Sequence, residues 1–179
     1  MRRLLRRPLT WVLLSVAVVG AVVALLLFEP WRALTSSHVD EAVPVARTAP
    51  EPPATSGPTS AVPPPAPVVL AEGQFVSKEH ETSGTARVLR LPDGSRVLRL
   101  ENFATSDGPD VHVWLTDRGP DGPDGSFDDG GFVPLGEMKA TSGNQNYAIP
   151  ADASIEGLRT AVIWCDRFNV AFGAAPLIL

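Results

Sequence analysis

Thr85-Ala86-Arg87-Val88-Leu89-Arg90-Leu91-Pro92-Asp93-Gly94-Ser95-Arg96-Val97-Leu98-Arg99-Leu100-Glu101-Asn102-Phe103 reads as two extended runs around a turn. Proline presets its own φ, aspartate bonds neighbouring backbone, and glycine accepts a positive φ, so Pro92-Asp93-Gly94 turns the chain back on itself. A β-hairpin of Thr85–Leu91 with Ser95–Phe103 follows. Downstream, Asp110–Thr116 alternates, with Val111, Val113 and Leu115 on one face and His112 and Trp114 on the other. Gln145–Ile149 is a short strand that stops at Pro150. Arg159–Cys165 and Phe168–Gly173 form a second hairpin, in which Phe168, Val170 and Phe172 are expected to share a face. No stretch after residue 70 sustains a 3.6-residue period. Short strands at regular spacing predict an all-β fold, an antiparallel β-sandwich or barrel-like domain over 71–179. Its roughly 110 residues suffice for one core.

Upstream the chemistry changes. Leu9–Phe28 is an uncharged run, LTWVLLSVAVVGAVVALLLF, whose twenty residues would give ~30 Å of helix, the thickness of a bilayer's hydrocarbon core. Arg2, Arg3, Arg6 and Arg7 precede it and Glu29-Pro30 follow it. That asymmetry predicts one transmembrane helix over 9–28, a cytoplasmic tail over 1–8, and a single-pass cell-membrane location with the C-terminal domain extracytoplasmic. A cleaved signal peptide is the rival, but the run is longer than the ~7–15 apolar residues of such a leader. Residues 29–70 hold a juxtamembrane piece and a stalk. Pro44–Pro67 contains nine prolines in 24 residues, too many to pair its backbone, so a disordered, extended spacer is expected.

The formal charge of −5 is a sum of unlike parts: the four N-terminal arginines carry +4, so the remainder carries −9. An acidic body argues against nucleic acid as a partner, since phosphate binding needs a basic face. GxSxG, HExxH and P-loop signatures are absent, which leaves hydrolytic chemistry without a recognisable motif. Cys165 is the sole cysteine, so neither an intrachain disulfide nor a CxxC pair can form. It ends a strand just before Asp166-Arg167. Its two readings are a small core residue and a reactive or ligating thiol; Asp166 would disfavour the thiolate and Arg167 would favour it. Trp164, Phe168 and Phe172 could pack on a flat cofactor or simply fill the core. His80, His112, Met138 and Cys165 together offer the ligand types of a copper site, although their order is unlike the usual single ligand loop. His112 alone reads as a half-buried hydrogen-bonding residue. Asp117–Gly131, DRGPDGPDGSFDDGG, holds five aspartates. Its spacing departs from the EF-hand loop, and an exposed, soluble hairpin loop is the plainer reading.

Several spaced elements recur in order: Gly73-Gln74-Phe75, Thr82-Ser83-Gly84-Thr85-Ala86, Leu100-Glu101-Asn102-Phe103, Ser106-Asp107-Gly108-Pro109-Asp110-Val111, Leu135-Gly136, Gly143-Asn144-Gln145-Asn146-Tyr147, and Ile163-Trp164-Cys165 with Phe168, Phe172-Gly173 and Ala175. Together they resemble the DM-thirteen domain, an electron-transfer domain of Skeletor type, over nearly all of 71–179. Membrane-anchored bacterial members look like this chain from end to end. The resemblance implies a β-rich, extracytoplasmic domain whose key residue is one cysteine, matched by Cys165, acting as a free thiol or as the ligand of a prosthetic group whose identity the resemblance leaves unknown.

Two functions follow. In the first, Cys165 is both the reacting and the cofactor-binding residue of a membrane-tethered redox or electron-transfer domain, with a redox or cell-envelope protein as partner and membrane lipid around the helix. In the second, the domain is a non-catalytic binding or envelope-interaction module and Cys165 is core. A turnover enzyme is the less expected of the outcomes.

Overall fold

A computed structural model describes residues 8–28, 35–44 and 65–179. It divides into two compact units, Met1–Thr35 and Ser36–Leu179. In the first, α1 (Pro8–Phe28) begins at a proline, which is tolerated in a first turn because its missing N–H would have no partner there. Among the described residues, no helix is long and apolar enough to cross a membrane. The expected transmembrane helix, its contact with membrane lipid and the single-pass membrane location are corrected accordingly. The extracytoplasmic placement of the domain loses the support of that anchor. Most of the basic tail and of the proline-rich stalk, residues 1–7 and 45–64, lies outside the described residues.

The second unit is a β-sandwich. Its strands are β1 (His38–Asp40), β2 (Val68–Gln74), β3 (Val76–Ser77), β4 (Ser83–Arg90), β5 (Arg96–Ala104), β6 (Val111–Thr116), β7 (Phe132–Glu137), β8 (Ser142–Ile149), β9 (Thr160–Cys165) and β10 (Val170–Pro176). One sheet runs β1-β8-β5-β4-β2 and the other β3-β10-β9-β6-β7. The fold is therefore mostly β, as expected, in two sheets. Every pairing is antiparallel except β1 on β8.

The β4–β5 hairpin forms where its turn chemistry places it. Leu91 N–H bonds Ser95 O, Gly94 N–H bonds Leu91 O, and Asp93 Oδ1 accepts from Ser95 N–H at 2.9 Å. Gly94 takes φ +85°, which a side chain would resist. The alternation read in β6 is also present: Val111, Val113 and Leu115 enter the core between the sheets, while Trp114 faces outward. From the first sheet, Ala86, Val88, Leu98, Leu100, Tyr147 and Ile149 meet them.

Sequence patterns point to neither β7 nor β1. Pro134 and Gly136 interrupt β7, which is tolerable because it is an edge strand. β1 is three residues long, and its pairing is secured by polar side chains. Ser37 and Thr141 exchange hydrogen bonds in both directions, at 2.8 and 3.1 Å. Glu41 accepts from Lys139 Nζ at 2.8 Å and from Asn146 N–H at 2.6 Å. Arg99, only 4% exposed, donates to Glu41 O, Ala42 O, Asn146 Oδ1 and Glu101 Oε1.

Candidate functional site

Residues of β9 alternate between two apolar layers. Ala161, Ile163 and Cys165 point into the core between the sheets, while Val162 and Trp164 point to the outer side of their sheet. Register then fixes the neighbours: Cys165 lies opposite Val111 of β6 and Val170 of β10, and Trp164 lies opposite His112. Cys165 is 0% exposed.

The four residues after Cys165 turn the chain into β10, with Asn169 at φ +54°. Through that turn the backbone N–H groups of Phe168 and Arg167 reach back to the sulfur. Burial pushes the thiol's pKa above its ordinary value; the two N–H groups pull it down, and the carboxylates of Asp110 and Asp166 push it up again. The net shift is upward, so the sulfur carries its proton at neutral pH. Arg167 acts through its peptide N–H, whereas the sequence suggested its charge. Phe168 is 48% exposed in the turn, so it does not share a face with Val170 and Phe172, which pack against the inner core.

Asp110 precedes β6 at φ +97°, unusual for a side-chain-bearing residue, and its carbonyl accepts from Asp166 N–H at 3.1 Å. His112 Nε2 lies 2.8 Å from Asp110 Oδ1 and 3.6 Å from Asp166 Oδ2. The three ligand atoms fall within 4.8 Å of one another on a partly exposed patch. Such a group could hold a divalent cation, but the imidazole between two carboxylates already satisfies the same atoms. Sequence reading took His112 as a hydrogen-bonding residue, and the geometry agrees.

The other candidate ligands do not converge on the sulfur. His112 and Cys165 lie on opposite faces of one sheet. His80 stacks on Phe172, with ring centroids 3.8 Å apart, and bonds Ser106 Oγ at 3.0 Å. Met138 packs partly buried against the inner core, and its N–H bonds Val111 O. Nor does the thiol suit a bulky prosthetic group. Its sulfur sits in packed core, and the openings lined by Glu81, Ser83 and Thr105, or by Gly119 and Leu177, leave it out. Trp164 and Phe172 project from opposite faces of their sheet, so they cannot sandwich one flat ligand.

The aspartate-rich loop joins β6 to β7 and is mostly exposed, as expected. Asp117 Oδ2 accepts from Gly131 N–H at 3.0 Å, and Asp124 pairs with Lys78 at 3.5 Å. One residue of that loop is different: Phe127 is fully buried and lies edge-on to Trp164. It belongs to an aromatic layer on the outer side of the sheet, with Trp114 stacked on Trp164 at 5.2 Å and on Phe132 at 4.4 Å. Sequence reading missed this layer. Its signal was Trp114 alternating onto the face supposed to be solvated.

Residues 74–177 match the family described as electron transfer DM13, well over half of the 179 residues. The chain belongs to the electron transfer DM13 family. No curated protein and no solved structure matches it. The family description suggests a redox role, and the matched span takes in both sheets of the sandwich except β1 and all but the last residue of β2, together with the turn that holds Cys165.

Proposed function

We propose that this DM13 domain passes electrons through Cys165. The observation that carries the reading is a sole cysteine, fully buried, whose sulfur receives two peptide N–H groups from the turn beside it. Burial separates two kinds of thiol chemistry. Disulfide exchange requires a second sulfur to approach the first, and a sulfur in packed core admits none. An electron needs no path wide enough for an atom. The N–H groups favour electron density on the sulfur, and the nearby carboxylates oppose net negative charge there, so loss of an electron is coupled to loss of the thiol proton. The partner in this reading is a second redox protein that takes one electron at a time.

A high-potential one-electron oxidant too bulky to enter the core, such as hexachloroiridate(IV), tests the reading in the full chain. Native protein should consume an equivalent more than Cys165→Ser does, while the native thiol resists iodoacetamide. Equal consumption by the two proteins would refute it. A second reading, a binding module with Cys165 as filler, is favoured by the thiol's place among Val111, Ile163 and Phe172 in the main core, and equal consumption is the result it requires.

A further inference from the structure

The aromatic layer on the outer side of the second sheet links the surface to the residue bonded to Cys165. Phe132, on edge strand β7, is 41% exposed. Its ring stacks on Trp114 at 4.4 Å between centroids with 16° between planes. Trp114 is 6% exposed and stacks in turn on Trp164 at 5.2 Å and 30°. Trp164 is 1% exposed and adjoins Cys165 through a single peptide unit. These separations are those of aromatic rings in direct contact. The layer contains Trp114, Phe127, Val162, Trp164, Ala171 and Ala174. Among them only the two indoles give up an electron readily, and they are in contact with each other. A layer needed only to cover the sheet could be filled by aliphatic side chains.

We propose that Trp164 and Trp114 relay electrons between Cys165 and an oxidant that reaches the exposed ring of Phe132. The inference rests on the redox reading of Cys165 and adds its route. In one passage the oxidant takes one electron from Trp114, leaving an indole radical cation. Trp114 is refilled by Trp164, and Trp164 by the sulfur of Cys165. The S–H bond breaks as that electron leaves, and its proton is lost to solvent. The balance is one electron and one proton lost by the thiol, one electron gained by the oxidant, and both indoles restored. Phe132, whose benzene ring is too hard to oxidise, shields Trp114 and brings the oxidant within contact distance of it. The oxidant is of the one-electron class, such as a metal-centred redox protein.

The test uses the full chain with Trp11→Phe and Trp31→Phe, so that any indole radical belongs to the pair. A photogenerated ruthenium(III) polypyridyl complex serves as oxidant, and transient absorbance follows both its reduction and the tryptophan radical. Trp114→Phe should slow reduction of the complex by about tenfold or more, a barrier increase of ~1.4 kcal/mol. Trp114→Tyr, which restores an oxidisable ring, should recover part of the rate, and matched melting curves would exclude a folding defect. Reduction at the parent rate in Trp114→Phe would overturn the relay. Cys165→Ser separates the two claims: the radical should persist longer in it than in the parent. Equal radical lifetimes, with Trp114→Phe still slow, would refute Cys165 as donor and leave electron exchange between the indoles in place.

Discussion

Replacing Cys165 by alanine removes one sulfur from a fully closed environment, and the cost can be built from its contacts. Losing a buried group of methylene size from the core forfeits ~0.8–1 kcal/mol of transfer free energy. The small void it leaves adds ~0.5 kcal/mol, since the surrounding core collapses only in part. The N–H groups of Arg167 and Phe168 lose their acceptor; sulfur is a weak acceptor, so ~0.5 kcal/mol each is appropriate. The sum is about 2–2.5 kcal/mol. For a folded unit of this size the melting temperature should fall by about 4–10 °C. The assay is equilibrium urea unfolding followed by tryptophan fluorescence, with Trp164 reporting from the adjoining residue. A loss below about 0.5 kcal/mol would refute the packing described for the sulfur and its turn. Because the thiol is core in either functional reading, stability does not separate electron transfer from a binding role. Only the redox measurements do.

Three other outcomes follow from the same contacts. Tyr147, whose hydroxyl is buried and donates to Gln145 Oε1, has its pKa pushed up to about 12 by burial, and Cys165 is also raised. Raised values mean that the folded state holds these protons more tightly, so their contribution is complete below the unfolded pKa values and is lost as pH rises through the folded ones. Urea midpoints should therefore decline from about pH 9 towards 12, and a flat profile over that window would contradict the assignment. Gly173→Ala would place a Cβ 2.5 Å from Thr82 Cβ and Cγ2, so a loss of about 1–3 kcal/mol is expected in the same unfolding assay. Arg99→Leu strips a nearly buried guanidinium from Glu101, Asn146 and the carbonyls of Glu41 and Ala42. It should cost about 3 kcal/mol, and amide exchange should quicken at Val39 and Asp40 as β1 loosens. Unchanged exchange there would show that Arg99 does not hold the strand.

What could be read from sequence was local. The β4–β5 hairpin was legible because Pro92-Asp93-Gly94 carries its own turn geometry, and β6 because alternation reports which side is buried. The β9–β10 hairpin was legible as well, but not the direction of Phe168. The turn takes up residues 166–169 with Asn169 in the left-handed region, and a bulge interrupts the pairing between Ala171 and Gly173. β1 left no pattern to find, since three residues with one apolar side chain pair with a strand more than a hundred positions away. The twenty uncharged residues of 9–28 gave the opposite lesson. A hydropathic run was read as a membrane span, yet no described helix meets the length and apolarity of one. At the site, the position of Cys165 at a strand end was legible. Its depth was not, because depth depends on Val111 and Phe172, carried by the strands paired on either side of β9, and on the other sheet packed over them.

The alternation of β9 gives the site its logic. Adjacent residues of a strand face opposite sides, so a thiol sealed in the inner core at position 165 has its immediate neighbour in the outer layer at position 164. One peptide unit thus joins an environment closed to molecules with a stacked aromatic layer that reaches solvent at Phe132. The acids at Asp110 and Asp166 complete the arrangement from the open end of the same strand pair. Asp110 is held at a backbone angle that costs of order 1–3 kcal/mol, offset by its bonds to Asp166 N–H and His112. Carboxylates so placed disfavour a standing thiolate. A sulfur kept protonated and shielded from other sulfurs is ill suited to nucleophilic or disulfide chemistry, and the proposed one-electron route is the chemistry that burial leaves open.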